Sequence, residues 1–357
     1  MPSLLDKRLV FVTGKGGVGR STVALAIGLA AARRGRRTIV CEVAGQERAA
    51  RALAREDVGY AETEVAPGLA AISVDPQGSI EEYLRVQLGS AALAGLLFDN
   101  RLFQYFAAAT PGLSELVTVG KVWDLAQDDR HTEGGRYDLV IVDAPASGHG
   151  LGLLRAPATF RDVARVGPIR RQAGIIDAYL RDPAVTGLVA VALAEEMPVS
   201  ETLEFAGRLE EEAGMAVDRI VLNGLLPDRF KPEEIERMRA VAGARRNGEG
   251  AAAEAGRNGE GAATEAGRDG QGAAAEAGRN GDGAARTGPN GRGASGAVGR
   301  AVGLALAEHH RVEAQGEQRA RLESGTGQVA LALPLLFDAE LGLPELYRLS
   351  RVLEPGL

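Results

Sequence analysis

The sequence predicts a doubly wound α/β fold, a mostly parallel sheet with helices on both faces. Short apolar runs recur along the chain, at Leu9–Thr13, Thr38–Val43, Leu69–Asp75, Leu139–Asp143, Leu188–Leu193, Ile220–Asn223 and Val329–Leu333. They are continuously apolar rather than alternating, as strands buried on both faces are. The stretches between them are amphipathic and of helical length, and strands alternating with helices build a parallel sheet.

The length of 357 residues suits one large α/β domain spanning the chain, and 45% apolar residues supply a sizeable core. A net charge of −7, spread along the chain, gives no electrostatic case for nucleic acid or anionic lipid. There are 37 arginines against 4 lysines, a bias expected of a GC-rich genome rather than of nucleic-acid recognition. Cys41 is the single cysteine, which excludes a disulfide within the chain and a CxxC metal clip unless two chains share one. No run approaches the eighteen apolar residues of a membrane span, and the N-terminal segment enters the first strand without signal-peptide features. A cytoplasmic location and no integral membrane segment are the expectations.

Two segments depart from the strand–helix rhythm. Residues 79–129 carry apolar residues at helical spacing, with a cap or turn at Pro111–Gly112, and read as a small helical subdomain inserted between two strands. Its aromatics, Tyr83, Phe98, Phe103, Tyr105, Phe106 and Trp123, form either the core of the insert or a docking face. Residues 243–299 hold 17 glycines and an eleven-residue repeat marked by Arg246, Arg257, Arg268 and Arg279. An eleven-residue period suits a right-handed helical coil, but three glycines per unit argue against it. Glycine at that density costs backbone entropy, and alanine alone buries little in return. The segment reads as a disordered insertion, followed by helix with a break at Gly316.

The phosphate chemistry lies at the first strand. From Gly14 to Ser21 the chain reads GKGGVGRS, directly after LVFVT and before TVALAIGLAAARR. Strand, glycine loop, hydroxyl pair and helix in that order are the context of a phosphate-binding loop. Gly14, Gly16, Gly17 and Gly19, with Lys15 and Val18 among them, let successive N–H groups turn inward around phosphates. The helix that follows aims its N-terminus at the same charge. Ser21 is the expected Mg²⁺ ligand, and Thr22 is placed near the β or α phosphate. Arg20 stands where such loops carry lysine. It keeps the charge but is larger, planar and more weakly hydrated, so it bears more on transition-state geometry than on binding. The loop predicts a triphosphate, ATP, held with Mg²⁺.

With these residues the chain resembles the ArsA/Get3 family of P-loop ATPases, the arsenite-pump and tail-anchored-protein-targeting group. Two motifs carry the likeness. One is GKGGVGRST, Gly14 to Thr22, a deviant Walker A with the extra lysine Lys15. The other is DAPASGH, Asp143 to His149, followed by GLGLLRAP and similar to the family's switch II segment. The likeness covers the chain apart from the repeat and is weakest in the helical insert. It implies an ATP-closed dimer, with itself or with a related ATPase, in which Lys15 reaches the nucleotide of the partner subunit. On chemistry alone, Asp143 ends the strand YDLVIVD where a carboxylate can hold the water shell of Mg²⁺ or bond Ser21. His149 either passes on a γ-phosphate signal or is an ordinary loop histidine. The resemblance places Asn223 on adenine, a role its amide can serve with both donor and acceptor, and sets Pro334 and Leu335 beside the base. Glu196-Met197 and Glu201-Thr202 match a further family stretch.

One departure bears on hydrolysis. Family members carry an aspartate in STDPAH after the second strand, and alignment puts Ala44 there, with Gly45 at the proline. Glu42, two residues earlier, keeps the face but moves the carboxyl about 6–7 Å. The candidate catalytic residues are therefore Lys15, Arg20, Asp143 and Glu42, in a slow ATPase or in a non-hydrolysing subunit paired with a more active relative. A small-molecule kinase is a third reading. One cysteine cannot form a three-thiol arsenite site, and without CxxC no zinc clip is expected. The protein client is not legible.

Overall fold

The computed structural model describes residues 3–43, 58–98, 100–101, 105, 109–132, 134–164, 166–243, 290–338 and 341–357. They fall into two compact units, Met1–Leu226 with Ala314–Leu357, and Pro227–Glu313. The first holds an eight-stranded sheet in the order β3-β4-β2-β5-β1-β6-β7-β8. The strands are β1 Leu9–Gly14, β2 Thr38–Val43, β3 Thr63–Ala66, β4 Leu69–Val74, β5 Leu139–Asp143, β6 Thr186–Leu193, β7 Arg219–Leu225 and β8 Leu331–Pro334. All pairs are parallel except β3 with β4, so the doubly wound α/β fold is observed. The chain winds to one side through β2, β4 and β3, and to the other through β6, β7 and β8. The loop after β1 therefore opens at the point where the winding reverses.

The helices are α1 Arg20–Arg33, α2 Pro76–Leu88, α3 Ala91–Phe98, α4 Leu113–Leu125, α5 Ser147–Val163, α6 Pro168–Arg181, α7 Glu196–Ala213, α8 Asn290–Thr326 and α9 Leu343–Leu353. Alternate strand residues feed two cores. Leu9, Phe11 and Val142 pack on one face with Trp123, Leu151 and Phe205. Val10, Val12 and Ile141 pack on the other with Val23, Ile27 and Leu349. All of the first strand's residues are buried, which is why the runs read as continuous rather than alternating. In the second unit, residues 232–243 are helical and Arg229 pairs with Glu308 at 3.4 Å.

Several boundaries differ from the sequence reading. Strand β3 was not anticipated: four residues, TEVA, with Thr63 half-buried and Glu64 exposed, are too short for a periodic signal. The last strand begins at Leu331 rather than Val329, and Asp75 leaves its strand to cap α2, accepting from Gly78 N at 2.8 Å. No break occurs at Gly316, which lies within α8; a single glycine costs a helix only about 1 kcal/mol. That helix also starts at Asn290, inside the segment read as irregular, whereas residues 244–289 lie outside the described residues. Gly112 caps α4 in the left-handed conformation. Trp123 is core and Tyr105 is 72% exposed, while Phe103 and Phe106 lie outside the described residues.

Candidate functional site

The carboxyl ends of β1, β5 and β7 bring the predicted residues together. Gly14 closes β1 in parallel register with Val191 of β6, and a Cβ there would strike the Val191 carbonyl. Gly17 and Gly19 sit at φ +88° and +91°, left-handed values that glycine alone adopts without strain. A side chain on Gly19 would also meet the Asn223 amide, whose Nδ2 donates to Val18 O at 2.9 Å. Asn223 therefore reaches across from β7 to hold the loop. Gly16 and Gly17 are exposed, and a Cβ on either would project into open space above the loop. Val18 is buried beneath them, and α1 begins at Arg20 with Gly19 as its cap. The loop lies at the positive end of a fourteen-residue helix, a fit for phosphate.

Beside it, the Ser21 hydroxyl in the first turn of α1 donates to Asp143 Oδ2 at the end of β5. A hydroxyl and a carboxylate form an all-oxygen donor set suited to a hard cation such as Mg²⁺. Arg20 is 3% exposed and its guanidinium donates to Ala144 O, the residue after Asp143. The arginine ties the loop helix to the segment after β5. That segment is fixed by Ala144 N on Val12 O at 3.0 Å. Gly150 of α5 lies so close to Thr13 that a Cβ would come within 2.9 Å of its hydroxyl. His149 is exposed in the first turn of α5.

Glu42 is 1% exposed and its Cα registers with that of Asp143 across β2 and β5. Register neighbours share a sheet face, so both carboxyls lie on the side covered by α1. Ala44 and Gly45 fall outside the described residues. Leu335, which follows β8, donates its N–H to Leu225 O at 2.8 Å and lies against Gly224, one residue from Asn223; Pro334 is exposed beside it. Thr22 is half-buried in the first turn of α1. Lys15 Nζ donates to Glu201 Oε1 of α7 at 2.6 Å. Lys15 and Glu201 each lie in a motif, but with 186 residues between them nothing in the chain pairs them. Their contact follows from β6 lying beside β1 and delivering α7 next to the loop.

A parallel sheet whose central strand runs through a glycine loop into a helix, with a neighbouring strand's carboxylate on that helix's first-turn hydroxyl, defines a P-loop nucleotide-binding protein. Comparisons with known proteins agree. Residues 7–175 match the family described as anion-transporting ATPase. ATPase BagA of Mycobacterium tuberculosis is 28% identical over 238 residues, covering 64% of this chain and 68% of the relative. The arsenical pump-driving ATPase of Escherichia coli is 27% identical over 239 residues, 61% of this chain and 39% of the relative. ATPase get3 of Pyrenophora tritici-repentis is 26% identical over 187 residues, 49% of this chain and 52% of the relative. Over the residues that match, these comparisons support an ArsA/Get3 family member, an ATP-binding P-loop ATPase.

Proposed function

We propose that this chain binds ATP with Mg²⁺ between the Gly14–Thr22 loop and the segment after Asp143, and hydrolyses it as one half of a cytoplasmic dimer that acts on a protein client. The Ser21–Asp143 hydrogen bond, set beside a loop whose Gly16 and Gly17 face open space, carries this reading. The N–H groups of Gly16 to Gly19 cradle phosphate, and Ser21 and Asp143 hold Mg²⁺, which when bound offsets charge on the terminal phosphates. Lys15 bridges to the partner's nucleotide, whether the partner is a second copy or a related ATPase. Asn223, with Pro334 and Leu335, takes the adenine, and Glu42 stands in for the missing switch I aspartate.

The client face is assigned to the helices between β4 and β5 together with the turn joining α5 to α6. Leu93, Leu96, Val163, Val166 and Ile169 are exposed there, more large apolar surface than isolated exposed residues account for. Nearby, α2, α4 and α6 enclose a cavity of about 290 Å³ lined by Ile80, Leu116, Val117 and Ile176. An apolar segment fits such a surface. Among the described residues no helix is long and apolar enough to cross a membrane.

A second reading rests on Arg20. Its guanidinium is committed to Ala144 O, which suits a subunit that binds ATP without hydrolysing it and completes a heterodimer. Steady-state ATP hydrolysis by the purified chain with Mg²⁺, against Lys15→Ala, separates the two. Turnover abolished in the variant places the chemistry in this chain. ATP binding without turnover above the variant supports the second reading, and absence of Mg²⁺-dependent ATP binding overturns both.

A further inference from the structure

The loop lysine is held inside its own subunit. Lys15 and Glu201 meet at 2.6 Å with 34% and 35% of their side chains exposed. The contact is set by rigid parts. Gly14 packs on the Val191 carbonyl of β6, β6 leads into α7, and α7 is seated by buried Val199, Thr202, Phe205 and Leu209. These anchors leave Glu201 turned toward the loop. While it donates to this carboxylate, the ammonium is held on its own subunit with its charge partly offset, and the pair is open enough to water to break at small cost.

We propose that Glu201 is a gate on Lys15: it mimics phosphate, keeps the lysine within its own subunit, and is displaced when nucleotide arrives. The inference rests on the reading of the Gly14–Thr22 loop as a nucleotide site. Glu201 is a positioning residue in this scheme, acting through Lys15.

Composition supplies a direct probe. Of the four lysines, Lys7 and Lys121 are buried, while Lys231 is exposed and serves as an internal reference. Amine acylation of the full chain, read by mass spectrometry without nucleotide, reports how often Lys15 leaves Glu201. Titration with a non-hydrolysable ATP analogue and Mg²⁺ reports the consequence. Glu201→Gln is expected to raise Lys15 acylation relative to Lys231 and to tighten analogue binding, each by about two- to fivefold, the range that releasing an exposed ion pair allows. Glu204→Gln, exposed on the same helix, controls for net charge and is expected to change neither.

Unchanged Lys15 acylation in Glu201→Gln overturns the gate, as does raised acylation with unchanged or weaker binding. The latter pattern would make Glu201 an aid to Lys15 rather than its competitor. An equal effect from Glu204→Gln also overturns it. If wild type binds and Glu201→Gln matches it, the gate alone fails. If neither protein binds the analogue, the reading of the loop as a nucleotide site fails with it.

Discussion

The carboxyl edge of the sheet and the helical layer between β4 and β5 are built on opposite terms. At the edge, small residues predominate, and side-chain hydrogen bonds lock one element to another: Asn223 to the loop, Ser21 to Asp143, Arg20 to Ala144. In the helical layer, Leu93 and Leu96 of α3 stand 55% and 74% exposed. A backbone cradle must be specified atom by atom, because one Cβ in the wrong place fills or breaks it. An apolar face tolerates many sequences, because burial is non-directional. The first region therefore announces its chemistry, and the second announces only that something apolar meets it.

The sharpest break in this comparison is Gly16→Val. Its Cβ enters open space rather than protein, so the fold should persist while the cradle fills. Loss of two charge-assisted hydrogen bonds, each about 1.5–3 kcal/mol, weakens ATP binding on the order of 100-fold or more. Calorimetric titration beside a thermal melt checks both halves of the expectation.

The opposite end of β1 should behave in reverse. Lys7, 2% exposed, pairs with Asp218 and donates to Thr186 O at 3.1 Å. Lys7→Ala leaves the Asp218 carboxylate and the Thr186 carbonyl without their ammonium, at about 2–3 kcal/mol, below the range for fully buried pairs because Asp218 is partly exposed. Denaturant midpoints should fall while ATP affinity per folded molecule stays the same.

A smaller effect is expected at the loop before β5. Burial pushes the Glu62 carboxyl up, but hydrogen bonds from Arg130, Tyr137 and Gly135 outweigh it and hold it below its usual range. A carboxylate depressed in the folded state contributes stability that is present above its unfolded value and lost as pH falls through the folded one. Glu62→Gln should therefore lower the melting temperature at neutral pH and shrink its fall on acidification. An unchanged acid limb would show that other carboxylates govern it. Smallest of all, Leu96→Asp should shift stability by no more than about 0.5 kcal/mol and leave ATP binding alone, while weakening capture of an apolar client peptide by the helical face.

Much of the site was legible because its residues are constrained by geometry rather than by partners. GKGGVGRS needs its glycines for left-handed turns and close approach, and Asp143 is marked by ending an apolar run. Seven of the strands stood out as apolar runs, and β1, β2, β4, β5 and β6 did so because they are buried on both faces. What escaped was decided by distant or weak signals. Strand β3 is four residues long, with Thr63 half-buried and Glu64 exposed. The continuity of α8 through Gly316 shows tertiary and helical context overriding one poor residue. The Arg20 contact to Ala144 O joins elements far apart in the chain, and the Lys15–Glu201 pair depends on which strand neighbours β1.

That neighbourhood has a consequence for how the chain is made. Strand β1 is bordered on both sides by later strands, Leu9 lying opposite Val140 and Thr186. A chain growing at roughly 5–20 residues per second delivers β6 about 10–35 s after β1. Until then the glycine loop has no floor of its own: Val191, which seats Gly14, has not been translated. The nascent N-terminal segment must wait as an apolar ribbon with unsatisfied edges, a window in which pairing with the wrong strand competes with pairing with the right one.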